Sequence, residues 1–145
     1  MTKTVLIVDD SIMMRCLIAE TLVDAGWLVV GEASDGREAV DLYQQFRPDA
    51  VTMDIVMPDI DGIQALAEIM QYDPYAKVVI VSALGQTGLI SEAIRKGAQD
   101  FVMKPFSAQQ LQETMQVIAE DVEEPIGVWP IRGPTRRTRR FASLT

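Results

Sequence analysis

Five short runs of β-branched and aliphatic residues recur along the chain, and between them the apolar residues switch to a helical spacing. The runs are TVLIV (4–8), LVVGEA (28–33), AVTM (50–53), KVVIV (77–81) and FVM (101–103). After Ser11, residues Met13, Cys16, Leu17, Ala19 and Val23 fall on adjoining helical turns. Ala39, Val40, Tyr43 and Phe46 form a second stripe, and Ile63, Leu66, Ala67 and Met70 a third. Leu89, Ile90, Ala93 and Ile94 form a fourth, and Ala108, Leu111, Met115 and Ile118 the last. Apolar residues three and four apart mark amphipathic helices. Strands that alternate with helices build βαβ units, so the prediction is an α/β fold: a parallel sheet with helices on both faces. The unbroken apolar character of 4–8 and 77–81 fits strands buried on both sides. Gly26 and Gly97 sit where the first and fourth helices should stop, Pro48 precedes the third strand, and Ser107 can cap the fifth helix.

What the chain lacks narrows its chemistry. It has no histidine, which rules out a Ser-His-Asp triad, a Cys-His pair and a His-ligated zinc site. Any phosphohistidine step must therefore come from a partner. The single Cys16 excludes an internal disulfide, and a reducing cytoplasm is the expected location. No apolar run approaches the roughly 18–20 residues that span a bilayer, and the N-terminus lacks the pattern of a signal peptide, so no membrane insertion is expected. Residues 1–120 carry 18 acidic and 8 basic side chains, a balance that argues against nucleic acid as a partner.

In an open parallel sheet, ligands bind outside the carboxyl ends of the strands. The first strand ends in Asp9-Asp10, the third in Asp54 and the fourth in Ser82, and the fifth is followed by Lys104-Pro105-Phe106. Each has a plainer reading. Asp10 or Ser11 could cap a helix, Asp54 could belong to a turn, Ser82 could satisfy a local backbone group, and Lys104 could be a solvated surface residue. The functional reading rests on all of them falling at one edge. Three neighbouring carboxylates repel one another unless a cation sits among them, and Mg²⁺ suits one or two carboxylates plus water and phosphate oxygens. An aspartate can then act as nucleophile and form an aspartyl phosphate, with Lys104 and Ser82 supplying charge and a donor.

VLIVDDS, MDIVMPDIDG, VSA and KPF, in this order and spacing, resemble the receiver domain of bacterial two-component response regulators. DDSIMMR and VSALGQ are similar to the single-domain chemotaxis (CheY-like) group. The resemblance implies a doubly wound, flavodoxin-like (βα)5 fold with strand order 2-1-3-4-5. It makes Asp54 the phosphoacceptor and places Mg²⁺ on Asp9, Asp10, Asp54 and the backbone carbonyl of Val56. Lys104 would contact the phosphoryl group beside a cis bond to Pro105. Ser82 and Phe101 would be the coupled switch pair, with Phe101 replacing the more common Tyr, and Ala83 the small residue beside the phosphoryl group.

It further implies a sensor histidine kinase as phosphodonor and a downstream protein target, a flagellar motor switch under the chemotaxis reading. The chain would act as a monomer or a phosphorylation-dependent dimer, and would catalyse only its own phosphorylation and dephosphorylation. Val56 and Leu84 occupy the two positions that flank the attacking water in the family. Neither can orient water, so slow self-dephosphorylation is expected. Two alternatives stand beside this reading: a receiver fragment of a longer regulator, and a Mg²⁺-dependent phosphohydrolase of similar fold. The second is disfavoured because no cap domain is inserted and the loops after the strands are short.

The expected domain spans residues 1–122. Residues 123–145 hold three of the seven prolines and five arginines with no amphipathic period. By composition they read as a flexible tail. Docking through Val128, Trp129 and Ile131, or a basic anchor for an anionic surface, are the other readings.

Overall fold

The computed structural model describes residues 2–58, 60–83 and 85–122, with the backbone alone at 121 and 122. Residues 123–145, on which the tail readings depend, lie outside the described residues. The strands are β1 (Thr4–Val8), β2 (Leu28–Ala33), β3 (Ala50–Met53), β4 (Val78–Ala83) and β5 (Asp100–Lys104). They alternate with α1 (Ile12–Asp24), α2 (Gly36–Phe46), α3 (Gly62–Tyr72), α4 (Thr87–Arg95) and α5 (Ala108–Val122). All pairings are parallel, and the strand order is β2-β1-β3-β4-β5, as expected.

Strand alternation divides the core. Leu6 and Val8, Val51 and Met53, and Val78 and Ile80 face a cluster built with α2, α3 and α4. Val5 and Ile7, Ala50, and Val79 and Val81 face a second cluster with α1 and α5. Successive strand residues point to opposite faces, so one central strand supplies both cores.

Helix starts follow the local chemistry. Ser11 Oγ accepts from Met14 N, Asp35 from Glu38 N and Asp61 from Gln64 N, and Ser107 Oγ accepts from Gln110 N. Each side chain satisfies one of the free N–H groups of a first helical turn. Gly26 and Gly97 both have positive φ just past helix ends, a region that glycine enters without a Cβ penalty.

One expected face is wrong. In α1 the buried residues are Ile18, Thr21 and Leu22, whereas Met13 is 84% exposed, Leu17 47% and Val23 55%. Cys16 is exposed as well. The segment IMMRCLIAETLVD is apolar nearly all round, so spacing alone cannot choose its inner face. Packing against the β1 side of the sheet and α5 makes that choice. Thr21 tolerates burial because its hydroxyl donates to Leu17 O at 2.7 Å. The other stripes hold at their centres, with Phe46, Leu89 and Ala108 exposed at their ends.

Candidate functional site

The register of the central strands assembles the acidic site. β1 and β3 pair with Val8 opposite Met53, so the next residues, Asp9 and Asp54, leave the sheet side by side. Asp54 N donates to Val8 O and Asp9 N to Ala33 O, both at 3.0 Å, which carries the ladder to the strand ends. Carboxylate oxygens of Asp9, Asp10 and Asp54 all lie within 4.8 Å of one another. Asp9 and Asp54 are buried and Asp10 is exposed, so the cluster opens to solvent on one side.

Lys104 ends β5, two strands from β3, opposite Ala83 of the intervening β4. Its long side chain spans that gap. Nζ lies 2.8 Å from Asp9 Oδ2 and 3.6 Å from Asp54 Oδ2. Asp9 Oδ1 accepts from Ser11 N at 2.9 Å, so both oxygens of this buried carboxylate have donors. The Lys104-Pro105 bond is cis, as the resemblance implied.

Burial pushes the Asp54 carboxyl up to about 6; the Lys104 charge opposes this, the Asp9 and Asp10 charges add to it, and a backbone bond from Ile55 opposes it. When all three clustered carboxylates are ionised, the one ammonium beside them leaves formal negative charge at the site. A divalent cation with a preference for oxygen ligands fits this donor set.

Gly62 sets how closely α3 approaches the acceptor. A Cβ there would lie 2.0 Å from Asp54 O, and Gly62 N donates to Ile55 O at 2.7 Å. Any larger residue would push the β3–α3 loop, and Asp54 with it, out of place.

The remaining expected residues are placed unevenly. Ser82 is fully buried, and its hydroxyl donates to Gln86 Oε1 at the start of α4. Phe101 lies opposite Ile80, half-buried against the larger core. Val56 sits on the loop two residues after Asp54 with its side chain 53% exposed. Leu84 lies outside the described residues.

Two polar groups near the site were not read from the sequence. Arg15 donates through Nη1 to Asp9 O at 2.6 Å and through Nε to Glu32 Oε1 at 3.1 Å. Its signal was its place one turn after Ser11, because helical side chains lean back toward the N-terminus. Gln86 carries no such signal, since nothing in VSALGQ distinguishes it from a surface glutamine.

Comparison with known proteins agrees with this geometry. The response regulator receiver domain family matches residues 5–116. The chemotaxis protein CheY of Thermotoga maritima is 47% identical over 120 residues, covering 83% of this chain and all of that protein. CheY of Bacillus subtilis is 47% identical over 115 residues, 79% of this chain and 96% of that one. Among solved structures, the CheX–CheY–BeF3–Mg²⁺ complex from Borrelia burgdorferi is similar with a TM-score of 0.75 and 39% identity, covering 79% of this chain and 88% of that one. With a receiver-domain match over most of its length and an acid cluster at the expected sheet edge, the chain belongs to the response regulator receiver domain family, as a CheY-type module of two-component signalling.

Proposed function

We propose that Asp54 accepts a phosphoryl group from the phosphohistidine of a partner sensor kinase, at a Mg²⁺ site formed by Asp9, Asp10, Asp54 and the Val56 carbonyl. The observation that carries this reading is the approach of the three carboxylates to within 4.8 Å, with the Lys104 ammonium at 2.8 Å from one and 3.6 Å from another. When bound, Mg²⁺ offsets the repulsion among these acids and the charge on the equatorial phosphoryl oxygens. Asp54 must be ionised to attack. An Oδ lone pair forms the P–O bond while the P–N bond to the donor imidazole breaks and its electrons return to the ring. Lys104, already poised between Asp9 and Asp54, moves its ammonium onto a phosphoryl oxygen.

Ser82 has one hydroxyl proton, and it is committed to Gln86 Oε1. Donation to a phosphoryl oxygen requires giving up that bond, which couples the acceptor to the start of α4. Phe101 follows on β5, and the face formed by α4, β5 and α5 presents the output surface to a protein target. A flagellar motor switch is such a target under the chemotaxis reading, which the CheY relatives favour. No helix among the described residues is long and apolar enough to cross a membrane.

The test is incubation with acetyl phosphate and Mg²⁺ followed by intact mass. Wild type gains one phosphoryl group and Asp54→Asn gains none. Equal gain by both would remove Asp54 from the role. A second outcome concerns lifetime. Val56, two residues after the acceptor and 53% exposed, has an apolar side chain that cannot orient water by a hydrogen bond, so the acyl phosphate should hydrolyse slowly. The double variant Val56→Asn/Leu84→Glu should shorten the phosphoryl lifetime about tenfold, read by the decay of phosphoprotein after donor removal. An unchanged lifetime would count against this role.

A further inference from the structure

We propose that Arg15 is a positioning residue for the metal site, holding the end of β1 so that Asp9 and Asp10 both face Asp54. The inference rests on the reading of these three acids as Mg²⁺ ligands.

Arg15 N closes the first turn of α1 by donating to Ser11 O at 3.0 Å, and its side chain runs back over the β1–α1 loop. Nη1 donates to the backbone carbonyl of Asp9 at 2.6 Å, while Nε is held by Glu32 Oε1 at 3.1 Å. Only 14% of the Arg15 side chain is exposed. Glu32 lies on β2, opposite Ile7 of β1. The guanidinium therefore ties the end of β1 to its neighbouring strand through two donors of one rigid plane.

This bond matters most for Asp10. The Asp9–Asp10 peptide is planar, so fixing the Asp9 carbonyl also fixes the direction of the Asp10 N–H and the position of the Asp10 Cα from which its side chain departs. Asp9 has other restraints, through Ser11 N, Lys104 Nζ and its own N–H on Ala33 O. Among the described residues, no hydrogen bond or ion pair is assigned to the exposed Asp10 carboxylate. Arg15 is thus the side chain that holds the peptide from which Asp10 projects. Glu32 serves a second purpose, since its charge offsets that of a guanidinium placed beside a divalent-cation site.

Charge and position make opposite forecasts. If Arg15 acted only as a nearby positive charge, its removal would tighten Mg²⁺ binding. If it positions the ligands, removal weakens it. Mg²⁺ dissociation constants of the full chain and of Arg15→Met and Arg15→Lys, measured by titration calorimetry at pH 8, decide between them. Arg15→Met should bind about tenfold more weakly, the loss typical when a group orienting a metal ligand is removed. Arg15→Lys keeps the charge but not the two-point fork, and should lose most of the same affinity. It also carries the test if Arg15→Met fails to fold. Equal or tighter binding by Arg15→Met, or wild-type affinity in Arg15→Lys, overturns the proposal. Failure of the wild type to bind Mg²⁺ would overturn the underlying site reading instead, so the two failures are distinguishable.

Discussion

At the residue scale, Asp54 combines two demands that conflict. It must be ionised to attack phosphorus, yet burial pushes its carboxyl up to about 6. Its folded pKa lies above the ordinary value of 3.8. The folded state therefore holds this proton more tightly than the unfolded chain. The associated stability is present below pH ~3.8 and is lost as the pH rises through about 6. In metal-free protein, Asp54→Asn should raise stability at pH 8 by up to about 3 kcal/mol, at about 1.4 kcal/mol per pKa unit. The gain should shrink as the pH falls through about 6 and be small by pH 4. Thermal melts of both proteins across this range, with chelator present, provide the check. A gain that is the same at pH 4 and pH 8 would mean that Asp54 is not held in this state. The identity of the acceptor was readable from its place at a strand end; its raised pKa was not, because desolvation depends on what the fold packs around it.

At the element scale, α1 shows where pattern fails. Helices α2 to α5 place polar residues opposite their apolar stripes, so spacing reveals the buried face. In α1 apolar side chains occupy both faces, and the stripe through Met13, Leu17 and Val23 faces outward. Leu17→Ser should change stability by less than about 0.5 kcal/mol, as at most surface sites. Leu22→Ala should cost about 2–5 kcal/mol through the cavity it leaves between α1 and the sheet. Urea denaturation of the two variants tests this, and equal costs would contradict the assigned face. The same helix carries Arg15 from its first turn to the Asp9 carbonyl, so the orientation of α1 bears on the site as well as on the core.

At the scale of the whole molecule, parallel strands of nearly equal length bring the ends of β1, β3 and β5 to one rim. Side chains far apart in sequence meet there: Lys104 lies 95 positions from Asp9 and bonds it directly. A ligand that binds only this assembled rim stabilises the fold by mass action. Saturating Mg²⁺ should therefore raise the melting temperature of the full chain at pH 8, and chelator should reverse the rise. The shift should be smaller at pH 5, where a proton on Asp54 competes with the metal. A shift that ignores pH, or that survives in Asp9→Asn/Asp10→Asn, would place binding elsewhere.

The sequence by itself determined the α/β class, the succession of strands and helices, and the presence of Asp9, Asp10, Asp54, Ser82 and Lys104 at strand ends. Those features are local: period-two and period-3.6 burial, turn residues and caps leave their mark within a few positions. Tertiary structure alone decided the inner face of α1, the commitment of the Ser82 hydroxyl to Gln86, the hold of Arg15 on the Asp9 carbonyl, and the raised pKa of Asp54. Each of these depends on register and packing between segments distant in sequence or on which of several equivalent neighbours a side chain selects. Residue order does not encode such choices until the sheet brings the candidates within a few ångströms.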